Sequence, residues 1–278
     1  KLGIKQATLS RHILQVEQRL GMIIFDRTTR GAVPTSDGAN YLLGAKRLVG
    51  EFDQLNHWVR QKKDGIIGQI AIGFHTSISA GNLRATLAAF KSANPDLHID
   101  YVERDRAHLL RDVECGMLDI AILLGEVPEH DLKHQTLWSD RIIVVMPEGH
   151  PLAAKDQIAF PDLLRETIAL SVSDPGPQIQ KLLTTKIGTP FLQPHIEVRD
   201  ISRESLLCTV AMGGCITITS EAVLGLGIGG LEYRDLFEST GQVRAGYSGY
   251  WRDDNRNPVL KRFLSFVRER YSLPPLRG

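Results

Sequence analysis

Three clusters of hydroxyl side chains in this chain stand where a small anion could be held. In "FHTSISAGN" the residues Thr76, Ser77 and Ser79 follow an Ile-rich segment and precede a helical one. "SVSD" repeats the pattern with Ser171 and Ser173, and "RDISRES" sets Ser202 at a third predicted helix start, between Arg199 and Arg203. Free backbone N–H groups and the helix dipole favour negative charge at such places, although a serine there also serves as a plain cap. His75, in the first of these loops, is the histidine whose placement is suggestive. A second chemistry stands near the N-terminus. In "QATLSRHILQVEQRLG" the stripe Leu9, Ile13, Val16 and Leu20 leaves Ala7, Thr8, Arg11 and Gln15 on the opposite face, with Gln6 and Ser10 at its flank. Gln, Thr, Ser and Arg are side chains that read base edges and phosphates in a major groove. The turn that follows carries Arg27 and Arg30, and an arginine in such a wing can enter a narrow minor groove.

Other chemistries lack their anchors. No G-x-S-x-G, H-E-x-x-H, C-x-x-C or Walker sequence occurs, and the nine histidines do not cluster at ligand spacing. Neither a catalytic residue nor a metal site is expected. "GLGIGG" (Gly225 to Gly230) matches the dinucleotide fingerprint G-x-G-x-x-G, but no helix is expected from "LEYRDLF" to receive a pyrophosphate, so it reads as a glycine-rich loop and no cofactor is implied. Cys208 and Cys215 are expected to be buried on a helix face and a strand rather than to form a redox pair.

The elements that must position these groups follow from pattern. The chain has 278 residues, enough for roughly two domains. From Thr35, a candidate N-cap, to Lys63 there is no proline, and Leu42, Ala45, Val49, Phe52, Asn56 and Val59 alternate at intervals of three and four. Such a helix needs cover, from a partner helix or from its own globular domain. Beyond "KKDGIIGQ" the period changes. "QIAIGF", "HIDYVE" and "DIAILL" alternate with helical stretches, and "RIIVVMP" leads to a second run of "TIALSV", "HIEVRD" and "CITITS" with helices between them. Two βαβαβ units imply two α/β lobes with parallel strands and a cleft at their carboxyl ends. "QVRAGYSGYW" and "NPVLKRFLSFVRERY" close the chain as strand and helix, and crossings between lobes are expected near 139–142 and 244–247.

Charge is divided in the same way. The net charge is +1, yet residues 1 to 64 hold eleven Lys and Arg against six Asp and Glu, which leaves 22 against 26 in the remainder. A basic terminal module is the footprint of a phosphate backbone partner, or alternatively a solvated helix surface. Three cysteines, no apolar run of membrane-spanning length and no secretory opening lead us to expect a cytoplasmic protein.

In their order these parts resemble a LysR-type transcriptional regulator. "QATLSRHILQVEQRLG" is similar to the family's recognition-helix pattern and "FDRTTRGAVPTSDG" to its wing and the start of its linker helix; "PEGHPLA" and "AMGGCITIT" are similar to its effector domain. The resemblance covers essentially the whole chain, with Lys5 and Ala7 in slots where the family often has Ser or Thr and proline. It implies a further helix ahead of Gln6. The implied fold is α/β: a winged helix-turn-helix at 1–35 (partial), a linker and dimerisation helix at 36–64, and a two-lobed, periplasmic-binding-protein-like effector domain at 65–278. Lobe I would take about 69–140 and 246–278, and lobe II about 141–245. By resemblance Gln6, Thr8, Ser10 and Arg11 contact the major groove of a dyad-symmetric promoter site and Arg30 the minor groove. Thr76, Ser77, Ser79, Thr136, Ser171, Ser173 and Ser202 would surround a small anionic effector. A homotetramer built as a dimer of dimers, and RNA polymerase as a further partner, belong to the same expectation. A solute-binding protein would share both lobes without the basic module, and an enzyme would need a nucleophile or acid–base pair in the cleft.

Overall fold

The N-terminal stripe folds as a helix, α1 (Gln6–Leu20), which stops where Gly21 takes φ +66, a conformation that a Cβ would oppose. This computed structural model describes residues 6–28, 31–64, 68–125, 131–173, 175–187 and 194–274. The chain divides into two units, Lys1–Lys63 with Cys115–Met117, and Asp64–Glu114 with Leu118–Gly278.

In the first unit Glu17 reaches past the end of α1, and its Oε1 accepts the backbone N–H groups of Ile24 (2.8 Å) and Phe25 (3.0 Å). This carboxylate anchors the chain reversal into a hairpin, β1 (Phe25–Thr28) and β2 (Gly31–Pro34), paired antiparallel with Thr28 opposite Gly31. The expected wing is thus a two-stranded ribbon, and Arg30 lies outside the described residues. Thr35 then opens α2 (Ser36–Asp64) as expected: its Oγ1 accepts the Gly38 N–H at 2.8 Å and donates to the Ile23 carbonyl at 2.8 Å. Gly38 has to be glycine, since a Cβ there would stand 2.0 Å from the Ile24 carbonyl oxygen. Ile24 is buried, but Leu9, Val16 and Leu20 on α1 and Val49, Phe52 and Asn56 on α2 are exposed. The seam of α2 is therefore uncovered from Val49 to Asn56, while Leu42 and Ala45 are half-buried; the side chain of Val59 is outside those described.

The second unit carries two cores. The first surrounds β3 (Gln69–Phe74), α3 (Gly81–Ala93), β4 (His98–Glu103), α4 (Arg106–Glu114) and β5 (Ile120–Leu124), with β3 lying parallel between β4 and β5. The chain then runs through β6 (Lys133–Pro147), β7 (Ile158–Ala159), β8 (Thr167–Ser171), α5 (Gly176–Ile187), β9 (His195–Arg199), α6 (Arg203–Ala211) and β10 (Thr217–Ser220). It ends with β11 (Leu231–Glu238), β12 (Gly241–Gln242), β13 (Arg244–Trp251) and α7 (Pro258–Tyr271). Ile70, Phe90, Trp138, Tyr247 and Phe263 pack in one core, the core of lobe I; Ile142, Val144, Leu170, Leu183 and Ile218 pack in another, that of lobe II. Two antiparallel strands join them. β6 and β13 pair from Lys133 opposite Trp251 to Arg141 opposite Arg244, with a bulge at Tyr247 and Ser248. Beyond that ladder β6 continues into lobe II, where it pairs with β10 and β11.

Two strands go beyond what their patterns announce, and one local reading changes. "LEYRDLF" after the glycine-rich loop is strand β11, half-buried along most of its length. β6 begins at Lys133, well before the apolar run that announces it. Cys215 is buried, but Cys208 is exposed: α6 buries Leu206, Leu207 and Val210, and the residue after Leu207 turns about 100° away from that face. Among the described residues no helix is long and apolar enough to cross a membrane.

Candidate functional site

On α1 the side chains of Thr8, Arg11 and Gln15 are exposed and Ser10 is half-buried, which leaves the predicted polar face open; the side chain of Gln6 is outside those described. The second unit has a cleft at the carboxyl ends of β3 and β8. A cavity of about 160 Å³ there is lined by Ser171, Ser173, Ser202 and Arg203, by Thr217 and Thr219, and by His75 and Glu103 from lobe I. A smaller one of about 10 Å³ lies between His75, Thr76, Leu124, Pro175 and Tyr247.

The expected hydroxyls divide into two sets. Ser171 and Ser173 share a bond of 2.9 Å at the wall of the larger cavity, where Ser171 Oγ also accepts the Ser173 N–H at 3.2 Å. Gly176 makes this loop possible, because a Cβ there would fall 1.8 Å from the Ser171 carbonyl oxygen. Ser202 caps α6, its Oγ accepting the Ser205 N–H at 3.1 Å. In lobe I Thr76 Oγ1 lies 3.0 Å from the hydroxyl of Tyr247, and Ser77 donates to Ser79 at 2.9 Å. Ser79 in turn donates to the Ala222 carbonyl of lobe II at 2.7 Å. Thr136 sits on β6, 3.5 Å from Ser248 Oγ. Ser77, Ser79 and Thr136 line neither of these two cavities.

Sequence reasoning missed the group that joins the lobes at the floor of the cleft. The Tyr247 hydroxyl lies within hydrogen-bonding distance of Thr76 in lobe I and of Ser220 in lobe II (3.1 Å). Burial pushes its pKa up to about 12, so it stays a neutral phenol. Nearby, Asp140 is fully buried; its Oδ1 accepts from Asn82 Nδ2 at 2.7 Å, while Oδ2 has no partner among the described residues. Burial holds this carboxyl above the usual Asp range, and Asn82 and Arg244 only partly oppose that. Arg203 also spans the lobes, donating to the His75 carbonyl at 2.9 Å and standing 3.3 Å from Glu103. Thr217 and Thr219 left a usable signal in "CITITS": threonines alternating with isoleucines give a buried strand one polar face. The glycine-rich loop has a structural use, since a Cβ on Gly225 would stand 2.1 Å from the Ser79 carbonyl oxygen. Among the described residues no group of three or more His, Cys, Asp or Glu stands ready for a metal ion.

Comparison with known proteins agrees with this division. Residues 63–272 match the family model described as LysR substrate binding domain, and residues 1–39 match the one described as bacterial regulatory helix-turn-helix protein, lysR family. The HTH-type transcriptional regulator TtuA of Agrobacterium vitis is 25% identical over 268 residues, covering 94% of this chain and 88% of that protein. AlsR of Bacillus subtilis is 23% identical over 264 residues, 95% of this chain and 87% of that protein. The match to YnfL of Escherichia coli, an uncharacterised HTH-type regulator, is 27% identical over 169 residues, 60% of this chain and 56% of the length of that protein. The fold is similar to that of CbnR, a LysR family transcriptional regulator (TM-score 0.78, 16% identity, 96% of this chain and 90% of that chain). It is also similar to full-length BenM (TM-score 0.59, 24% identity, 98% and 89%).

Proposed function

Because this chain belongs to the LysR family of transcriptional regulators, DNA-binding proteins with an effector-binding domain, we propose that it is a cytoplasmic regulator whose DNA affinity is set by a small carboxylate held between its two lobes. The family is one of regulators, not of enzymes. In this reading Gln6, Thr8, Ser10 and Arg11 meet base edges and phosphates in the major groove, and Arg30 enters the minor groove. Ser171, Ser173 and Ser202 face the effector, while Thr76, Ser77, Ser79 and Thr136 support it indirectly. The uncovered seam of α2 supports self-association, and a dimer of dimers would present paired DNA-binding modules to a dyad-symmetric promoter site beside RNA polymerase. The effector acts by population shift: it must favour one assembly geometry over another, or it changes nothing.

The observation that carries the reading is the cavity of about 160 Å³ whose polar wall combines serine and threonine hydroxyls and Arg203 with His75, Glu103 and Glu204, in a chain that also presents an exposed polar helix followed by a two-stranded ribbon. The test is fluorescence anisotropy of the full-length protein against dyad-symmetric duplexes selected from its own genomic fragments. Affinity should fall steeply as salt rises, and Arg11→Ala should lower the salt slope by about one phosphate contact. Salt-insensitive binding, or none on any selected duplex, would overturn it.

A further inference from the structure

The larger cavity ends at an arginine whose bonds cross between the lobes. Arg203 opens α6 in lobe II; its guanidinium donates to the His75 carbonyl at 2.9 Å and stands 3.3 Å from the Glu103 carboxylate, both in lobe I. The arginine side chain is 14% exposed and that of Glu103 is 55% exposed, so the cation is sheltered in the cavity wall while its anion stands in water. An anion so placed is weakly held, because solvent screens the charge and the side chain gives up rotamer freedom to stay. A guanidinium, by contrast, is a rigid fork that matches a carboxylate with two parallel bonds. The Glu103 contact is a single long one.

We propose that Glu103 is a built-in stand-in for the effector's charge: a small carboxylate entering the cavity takes its place on Arg203, and an ion pair between the lobes becomes a contact between lobe II and ligand. This rests on the reading of the cleft as an effector site, and it narrows the ligand. The volume of about 160 Å³ is close to the roughly 150 Å³ of an engineered cavity that takes benzene, so the body of the ligand is about one ring in size. Leu170, Leu206, Leu207, Ile218 and Val223 give that body an apolar wall. Ser202, whose hydroxyl caps α6 and donates to Ser205, stands beside Arg203 in the same wall. The Glu204 carboxylate is 4.0 Å from the same guanidinium, and a second negative charge on the ligand would meet it together with the displaced Glu103. The effector is therefore a monocarboxylate. The exchange leaves the His75 carbonyl as the lobe I partner of Arg203, so ligand charge and lobe geometry are coupled through one side chain.

The experiment is calorimetric titration of the full chain with cyclohexanecarboxylate, with cyclohexanecarboxamide as its uncharged counterpart and glutarate as a dianion. The monocarboxylate should bind wild type at least about tenfold more tightly than the amide or the dianion. Glu103→Gln should tighten its binding by about tenfold, since the competing charge is gone, and Arg203→Gln should lose it. Arg203→Lys, which keeps the charge without the fork, should fall between them. A thermal midpoint measured for each variant checks that it is folded. Equal binding of acid and amide, unchanged binding in Arg203→Gln, or weaker binding in Glu103→Gln would overturn the exchange and leave a small-molecule site in the cleft standing. No binding of any of the three probes to wild type would overturn the anionic-effector reading, and the exchange with it.

Discussion

After β3 the hydroxyls of Thr76, Ser77 and Ser79 are spent on Tyr247, on one another and on the Ala222 carbonyl; after β8 Ser171 and Ser173 bond each other at a cavity wall. The two loops read alike, each a strand end rich in serine ahead of a helix. The one in lobe I bonds across to the other lobe and helps to fasten the two together, and the one in lobe II bonds within its own lobe, Ser171 Oγ donating to the Ile201 carbonyl at 3.3 Å, and lines an opening large enough for a small molecule. A hydroxyl at a helix start is thus a capacity for binding, and what the opposite lobe presents decides whether structure or ligand uses it.

The strongest way to break this comparison is at a close backbone approach between the lobes. Gly225→Ala puts a Cβ 2.1 Å from the Ser79 carbonyl oxygen and should cost about 3 kcal/mol in urea unfolding, as an overpacked site does. Gly229→Ala, in the same loop with nothing within 4 Å, should stay within about 0.5 kcal/mol. Equal losses would show that the loop, and not the contact with Ser79, sets stability. Next comes Tyr247→Phe. It leaves Thr76 and Ser220 without their shared partner in a buried place, and about 2 kcal/mol should be lost in the same unfolding curves.

The direct contrast between the loops is smaller. Ser79→Ala removes a bond to the Ala222 carbonyl, which keeps the Ala80 N–H at 3.2 Å, and should lower stability by about 1 kcal/mol. Ser173→Ala should change stability by less than about 0.5 kcal/mol but weaken carboxylate binding in titration. The reverse pattern would exchange the roles of the two loops. The smallest effect concerns Asp140, whose carboxyl is raised by burial. The folded state holds that proton to higher pH than the unfolded state does, so this group's contribution to stability falls as pH rises from the ordinary Asp range through the raised value. Asp140→Asn removes the fall. Its thermal midpoint relative to wild type should climb as pH goes from acid to neutral, and a flat or declining difference would remove Asp140 from the account.

Much of the fold was legible because its signals are local. The stripe of α1, Thr35 as cap, the parallel strands of both lobes and the helix starts each depend on residues a few positions apart. β11 was hidden because "LEYRDLF" alternates imperfectly and carries charges, among them Glu232 paired with Arg234 at 2.9 Å, on a strand that is half-buried. Cys208 was misjudged because an apolar neighbourhood in sequence does not say which way a helix turns. At the site, the serines of lobe II were readable and the bridging groups were not. Thr76 meets Tyr247 across 171 positions and Arg203 meets His75 across 128, and no periodicity reports a meeting between distant segments.

The antiparallel ladder of β6 and β13, from Lys133 opposite Trp251 to Arg141 opposite Arg244, is continuous with the sheets of both lobes. Two strands laced together by hydrogen bonds resist shear and stretch far more than they resist bending and twisting. The joint between the two lobes is therefore stiff to sliding and soft to twist, so an angle is the coordinate along which the lobes can differ.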